Sequence, residues 1–258
     1  AKAVLNDTKL IESTNRAQEI QRIYKEDTQK FVDYNLKDAE LAYKVIEKSS
    51  ALKLAITRSR ITGLPLDRVN ASIASLDALY LKEAKKRRIV VPSAKITERQ
   101  ERILGGYVKI PEPGIYDYII VLDFKSLYPS IMRTFNIDPL TYTKSEKGTI
   151  RAPNGAHFTH EPGILPNILT NIWQKREDAR KQKDELTRYA LKILMNSFFG
   201  VLASPNCRFY NLEIANAITH FGQYLIKQTA QRIEKEGYKV LYEDTDSAFI
   251  KTNAKSEE

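Results

Sequence analysis

The run Tyr118-Ile-Ile-Val-Leu122 stops at Asp123 and is followed at once by Phe-Lys-Ser-Leu-Tyr-Pro-Ser-Ile131. An apolar, partly β-branched run of this length predicts a buried strand, and the carboxylate at its end predicts a sharp turn. The amides of Lys125, Ser126 and Leu127 then open a turn or helix start able to face an anion. That geometry suits a metal-bound polyphosphate. A core strand followed by an ordinary Asp-initiated turn would give the same residues, so a second acidic site is needed to decide.

The second site is Tyr242-Glu-Asp-Thr-Asp-Ser247, set between the strand-like runs Tyr238–Tyr242 and Ala248–Lys251. Two short strands around an acidic, turn-forming tip predict a hairpin that presents carboxylates at its end. Between the two acidic stretches lies Lys192-Ile-Leu-Met-Asn-Ser-Phe-Phe-Gly200. Three motifs in this order resemble those of family B DNA polymerases. From about Gly105 to Lys251 the chain is similar to the bacterial DNA polymerase II branch, through Pro113–Asp117, Arg133–Pro139 and Asn171-Ile-Trp173. The resemblance implies an α/β (α+β) fold, with a mainly antiparallel palm sheet carrying the acids and a helical-hairpin fingers subdomain.

A chain of 258 residues holds one large domain or two modest ones. Forty-one Lys and Arg against 32 Asp and Glu give a net charge of +9, which favours a polyanionic partner without identifying it. The single cysteine, Cys207, excludes an intrachain disulfide and a multi-cysteine zinc site and fits a reducing cytoplasm. No apolar run approaches the roughly 20 residues of a membrane span, and the polar start lacks a secretory apolar core. The expectation is a soluble cytoplasmic protein, nucleoid-associated if bacterial, with no membrane partner.

Residues 1–57 show helical spacing of apolar positions such as Ile20, Ile23, Phe31, Leu41 and Val45. Tyr34-Asn-Leu-Lys-Asp38 resembles the last exonuclease motif of the family; an amphipathic helix with an exposed Asp38 gives the same spacing. No Asp-x-Glu segment precedes Tyr34, so the resemblance implies that 1–57 is the remnant of a 3′-5′ exonuclease domain. Residues 58–104 lead into the palm, with a break at Gly63-Leu-Pro65, helical spacing from Val69 to Tyr80 and a basic cluster at Lys85–Arg88. Such a cluster is a solvated face or a duplex phosphate contact. Gly105-Gly-Tyr-Val108 falls where the family carries a Tyr-x-Gly-Gly element, with Ile103 in place of the tyrosine. Its glycines suit a close backbone approach to phosphate, or an ordinary turn.

The first part of the palm is read as 105–164, the fingers as 165–204 and the second part of the palm as 205–258, without a thumb. Thr143 to Gly163 lacks a period and predicts a loop, with His157 and His160 solvated. Leu165–Trp173 and Leu186–Phe199 predict two helices around a break at Lys183-Asp-Glu185. Asn211 is placed to cap a further helix that stops at Gly237 and packs under the sheet. Lys255–Glu258 is read as a frayed end.

Site roles follow from the resemblance. Asp123 and Asp246 match the family's metal-bridging aspartates, Asp244 stands behind them, and the Phe124 carbonyl matches a further ligand of two magnesium ions. Arg176, Lys192 and Asn196 match triphosphate contacts and Arg180 takes a position often held by lysine, with Ser126 and Leu127 offering amides; two solvated charged helix faces would give the same residues. Tyr128 matches the steric gate that excludes a 2′-hydroxyl. Phe199 stands where tyrosine is usual, and Glu243 stands where a small residue is usual, a hairpin-tip carboxylate with room to turn to water. The implied function is DNA-templated DNA synthesis from dNTPs on a primer–template, with a sliding clamp or complementary polymerase fragment as further partners. The competing reading is a catalytically silent DNA-binding fragment or one subunit of a split polymerase.

Overall fold

The computed structural model describes residues 1–11, 15–94, 103–252 and 254. The chain divides into two compact units, residues 1–61 and 62–258. In the first, α1 (Lys2–Leu5), α2 (Arg16–Glu26), α3 (Thr28–Lys48) and α4 (Ala51–Thr62) follow one another. Asp27 starts α3 by accepting from the Lys30 amide, as an N-cap acid should. Ile11, Ile23 and Tyr34 form the core here, with Ile20 and Phe31 packed against it.

The second unit opens with α5 (Ser72–Lys86). Its sheet runs in the order β1 (Val108–Lys109), β6 (Lys239–Asp244), β7 (Ser247–Lys251), β2 (Ile119–Asp123), all neighbours antiparallel. The hairpin β6–β7 turns at Thr245, whose φ of 54° is the left-handed conformation a tight turn requires. Helix α9 (Leu212–Lys235) packs on β6 and β7 through Ile226 and Ala230 against Val240, Ala248 and Ile250. Asn211 caps α9 by accepting from the Glu213 and Ile214 amides, and Gly237, at φ 86°, closes it.

Between β2 and α9 the chain inserts α6 (Leu127–Thr134), α7 (Ile164–Lys181) and α8 (Glu185–Leu202). Their apolar faces meet through Ile131, Met132, Leu165, Leu169, Leu191 and Leu194, all 2 % exposed or less. The break between α7 and α8 falls as expected, with Lys183 at φ 58° and Asp184 capping α8 through the Thr187 amide.

Two expectations change. Thr143 to Gly163 is not a bare loop: β3 (Tyr142–Thr143), β4 (Ile150–Arg151) and β5 (His157–Phe158) make a small antiparallel sheet too short for periodicity to announce. Within it His157 is buried, with Nδ1 2.8 Å from Thr149 Oγ1, while His160 is exposed. The second change is at β2. It is a strand that ends at Asp123, as read, but it is not buried: it lies at the sheet edge and Ile119, Ile120, Val121 and Leu122 are 39–52 % exposed. The segment Lys255–Glu258 lies outside the described residues.

Candidate active site

Sheet register places the acids. Asp123, last in β2, and Asp244, last in β6, both stand opposite Ser247 at the start of β7. The Phe124 amide donates to the Asp246 carbonyl at 2.8 Å, so the turn after β2 is tied to the hairpin tip. The Asp246 amide donates to the Asp244 carbonyl at 2.5 Å, which tightens the tip itself. Burial pushes the Asp246 carboxyl up, and the charges of Asp123 and then Asp244 push it further.

Among the described residues no group of three or more His, Cys, Asp or Glu is spaced as a complete metal cage. Magnesium does not need one. It binds through one or two carboxylates and completes its shell with water and substrate phosphates. The mutual repulsion at Asp123 and Asp246, in a hard-oxygen setting, fits such an ion.

Beside the acids a cleft of about 180 Å³ is lined by Ser126, Leu127, Tyr128, Asn196 and Asp246, joined by Pro129 and Thr245. Tyr128 sits on the first turn of α6 with its ring centroid 4.7 Å from that of Phe199 on α8. A Cβ at Gly222 of α9 would lie 3.1 Å from Tyr128 Cε1. Burial and the nearby Asp246 charge push the Tyr128 phenol up. Ser126 takes φ 54° to enter α6, and its Oγ accepts from Arg176 Nη1 at 3.1 Å.

Cations gather along α7. Arg176 is half-buried, and burial, then the positive Arg188, press its guanidinium below its ordinary range. Glu177 answers them: it takes Lys125 Nζ at 2.7 Å and lies 3.6 Å from Arg180 Nη1. Lys125 also lies 4.9 Å from the Trp173 ring, as does Arg133. The structure thus joins Ser126, Leu127, Tyr128, Asn196 and Asp246 in one cleft and hangs Arg176 at its edge. Arg180 is paired with Glu177, and Lys192 is exposed one turn before Asn196.

Glu243 departs from the expectation. It is 2 % exposed, since strand alternation turns it to the face opposite exposed Asp244. It feels Lys109, Glu234 and Lys227, and its Oε1 lacks a hydrogen-bond partner. Asp38, in the first unit, is ion-paired to Lys9 at 2.6 Å, with Tyr34 in the core one turn earlier. Gly106 approaches the hairpin tip: a Cβ there would lie 2.5 Å from Thr245 Oγ1, and the Thr245 amide donates to the Tyr107 carbonyl at 2.8 Å. In the basic cluster, Arg87 donates to the Pro162 carbonyl at 2.7 Å and the Gly163 carbonyl at 3.2 Å, and Lys86 pairs with Glu83 at 2.6 Å.

Sequence reasoning missed the anchor of α7. Asp138, fully buried, accepts from Tyr80 Oη at 2.8 Å, the Leu140 amide at 2.6 Å and the Leu165 amide at 2.5 Å. Asn136 accepts from the Gly163 amide at 3.0 Å and donates to the Thr159 and Glu161 carbonyls, both at 2.7 Å. Asn and Asp two residues apart after a helix were the available signal. They supply the capping that Gly163, at the N-terminus of α7, cannot.

An acidic cluster at adjoining strand ends thus lies beside a cleft lined by Tyr128 and near a helix rich in cations. Residues 70–258 match the family model for DNA polymerase family B, and the chain belongs to that family. It is 38% identical over 256 residues to DNA polymerase II of Escherichia coli (strain K12), a match covering 97% of this chain and 33% of that one. It is 32% identical over 256 residues to the DNA polymerase of Desulfurococcus sp. (strain Tok), covering 90% and 33%. The solved structure of the family B DNA polymerase from the hyperthermophilic archaeon Pyrobaculum calidifontis superposes with a TM-score of 0.65 at 27% identity, covering 88% of this chain and 34% of that one. The chain therefore spans about a third of the length of the relatives it matches.

Proposed function

We propose that residues 105–164 and 205–258 are the palm, and 165–204 the fingers, of a DNA-templated DNA polymerase that adds deoxynucleotides to a primer 3′-hydroxyl. The observation that carries this reading is the meeting of Asp123 and Asp246 beside the cleft of Tyr128 and Asn196. Asp123, Asp246 and the Phe124 carbonyl would hold two magnesium ions, which when bound supply a deprotonated 3′-oxygen and neutralise charge on the departing pyrophosphate. Asp244, exposed at the tip, orients the pair. Arg176, Arg180, Lys192 and Asn196 bind the triphosphate, with the Ser126 and Leu127 amides on its near side. Tyr128 lies under the sugar and refuses a 2′-hydroxyl by bulk.

In this reading 1–57 is the last part of an exonuclease domain, with Tyr34 and Asp38 its remaining motif, and 58–104 leads into the palm. Partners are primer–template DNA, dNTPs, and a clamp or the complementary polymerase polypeptide. The second reading is a DNA-binding piece without activity of its own, for which the net charge of +9 would serve equally well.

The test is a chimera in which this chain replaces the matched span of Escherichia coli DNA polymerase II. Primer extension with magnesium and dNTPs, lost in Asp123→Ala and Asp246→Ala while duplex binding is retained, is the expected result. A folded chimera that binds primer–template but adds no nucleotide establishes the second reading instead.

A further inference from the structure

We infer that Lys125 is a further phosphate ligand of the proposed site, and that Glu177 is a positioning residue that competes with the phosphate for Lys125 and Arg180. The ligand class is a polyphosphate carried with magnesium: the tail of a nucleoside triphosphate, and pyrophosphate after transfer. That identity rests on the polymerase reading; the arrangement of ion pairs does not.

The backbone places Lys125. It follows Asp123 by two residues and immediately precedes Ser126, which lines the cleft and takes Arg176 Nη1 at 3.1 Å. Its own carbonyl accepts from Ser130 Oγ at 3.1 Å, which ties the turn to the start of α6. What is left to move is a four-carbon stem ending in three donors. The Lys125 Nζ lies 2.7 Å from a Glu177 carboxylate oxygen and 4.9 Å from the centre of the Trp173 ring. That ring is itself held: Arg133 lies 4.9 Å from its centre and donates to Thr170 Oγ1 at 3.1 Å.

Glu177 stands among cations. On α7 it falls between Arg176 and Arg180, while its neighbour Asp178 accepts from Gln174 Nε2 at 3.0 Å. Lys125, with help from Arg180 and Arg176, holds the Glu177 carboxyl below its ordinary range, so it is charged at neutral pH. Exposure decides what the pair is for. The side chains of Lys125 and Arg180 are 53 % and 66 % exposed, and ion pairs of that class add little to stability. One carboxylate shared by two cations is readily exchanged for a polyphosphate, whose several charges and many acceptor oxygens make stronger charge-assisted bonds. Arg180 thus has two alternative anions, Glu177 and phosphate, and Lys125 has the same two. The consequence is a weaker hold on the substrate tail and on pyrophosphate, which favours product release.

The two ends of one ion pair supply the test. A pair that only supports the fold is lost equally in Lys125→Gln and Glu177→Gln, and the two variants then act alike. Competition predicts opposite signs. In the chimera with Escherichia coli DNA polymerase II, Glu177→Gln should lower the dNTP KM and the pyrophosphate inhibition constant by about two- to fivefold, the range an exposed ion pair spans. Lys125→Gln should raise both by at least as much, and Lys125→Arg, which keeps the charge, should recover most of that loss. Asp178→Asn removes a like charge that is bonded to Gln174 instead, and should shift either constant by about half as much or less. Shifts of the same sign in Glu177→Gln and Lys125→Gln overturn the inference, as does an equal shift in Asp178→Asn or no shift in any variant.

Trp173, the single tryptophan of the chain, gives a second readout that needs no nucleotide addition. In the 258-residue chain with magnesium in excess, sodium pyrophosphate should change Trp173 emission by drawing Lys125 off the ring, with sodium sulfate at equal ionic strength as the control. The change should be lost in Lys125→Gln. If the chimera adds no nucleotide, this titration decides: no response in wild type, or an equal response in Lys125→Gln, overturns the inference. An active chimera whose constants do not move sinks this inference and leaves the polymerase reading standing. A Lys125-dependent pyrophosphate response beside an inactive chimera does the reverse.

Discussion

Tyr128 packs on Phe199, 4.7 Å away ring to ring, and lies against the bare backbone of Gly222, where a Cβ would sit 3.1 Å from its ring. Under the proposed reading Tyr128 is a gate, and a gate works by bulk only if it cannot yield; α8 and α9 both pack on it. The phenylalanine at 199 keeps the ring contact and lacks only a hydroxyl. We predict that Tyr128→Ala in the chimera lowers deoxy-over-ribonucleotide selectivity by roughly tenfold to a hundredfold, the range for a small steric difference in a pocket. Gly222→Ala, which crowds the ring, should change the same ratio less. An unchanged incorporation ratio for Tyr128→Ala removes the gate assignment.

Asp246 gives a prediction that needs no DNA. Its carboxyl is pushed up by burial, Asp123 and Asp244, so in the absence of cations its ionised form opposes folding. For an acid raised in the folded state, the penalty is full above the folded value and vanishes below the unfolded one, near 3.8. Asp246→Asn should therefore raise the Tm of metal-free protein at neutral pH, with the gain fading in acid. Magnesium should raise the Tm of wild type and not of the variant, by linkage. Equal magnesium shifts in both proteins would count against a cation at Asp246.

Asp138 makes the anchoring of α7 testable. Its three donors, Tyr80 Oη and the Leu140 and Leu165 amides, sit in a fully buried setting. Asp138→Ala strands them and should cost roughly 2–4 kcal/mol, measured by denaturant unfolding. Asn136→Ala should cost about 1 kcal/mol or more, as loss of a helix-end partner does. Arg176 is presented by the same helix, so dNTP affinity should weaken in Asn136→Ala while duplex affinity holds. A stability loss below about 0.5 kcal/mol for Asp138→Ala would refute the anchor.

The placement of the acids was legible because strand, turn and hairpin are local: Asp123 ends an apolar run and Asp244 and Asp246 fall in the turn between two others, while the register sets Asp123 and Asp244 opposite Ser247 and the Phe124 amide ties the first turn to Asp246. The caps at Asp184 and Asn211 were legible for the same reason. Burial was not. The apolar run Ile119–Leu122 reads as core, and only the sheet order, which needs β7 in place, shows that it is an edge strand. Nor could sequence show that Glu243 faces α9, since its neighbours Lys227 and Glu234 are close only after α9 folds against β6. Two of the three partners of Asp138 lie 58 and 27 residues away, so the local Asn136/Asp138 signal could not name them.

Glu243 carries the last prediction. The carboxyl is 2 % exposed with Oε1 unpartnered, and burial, the largest influence, pushes it up. Lys109 and Lys227 pull the other way and Glu234 adds to the rise, so the face under α9 is mixed in charge and does not neutralise the group. A carboxyl raised in the folded state costs stability above its folded value, and the cost disappears below about 4.5, its ordinary value. Glu243→Gln keeps the shape and removes the charge. It should stabilise the chain at neutral pH by roughly 1 kcal/mol, or about 2–4 °C in Tm, with no gain in acid. Glu243→Leu, which also removes the unpaired polar atom, should do at least as well, as apolar replacements of buried charge often do. Because the side chain points away from Asp244, neither variant should change primer affinity at any salt concentration. Thermal melts from neutral to acidic pH, with a primer-binding salt series beside them, check both halves. A destabilised Glu243→Gln at neutral pH would mean that Lys109 or Lys227 pairs with the carboxylate strongly enough to outweigh its burial.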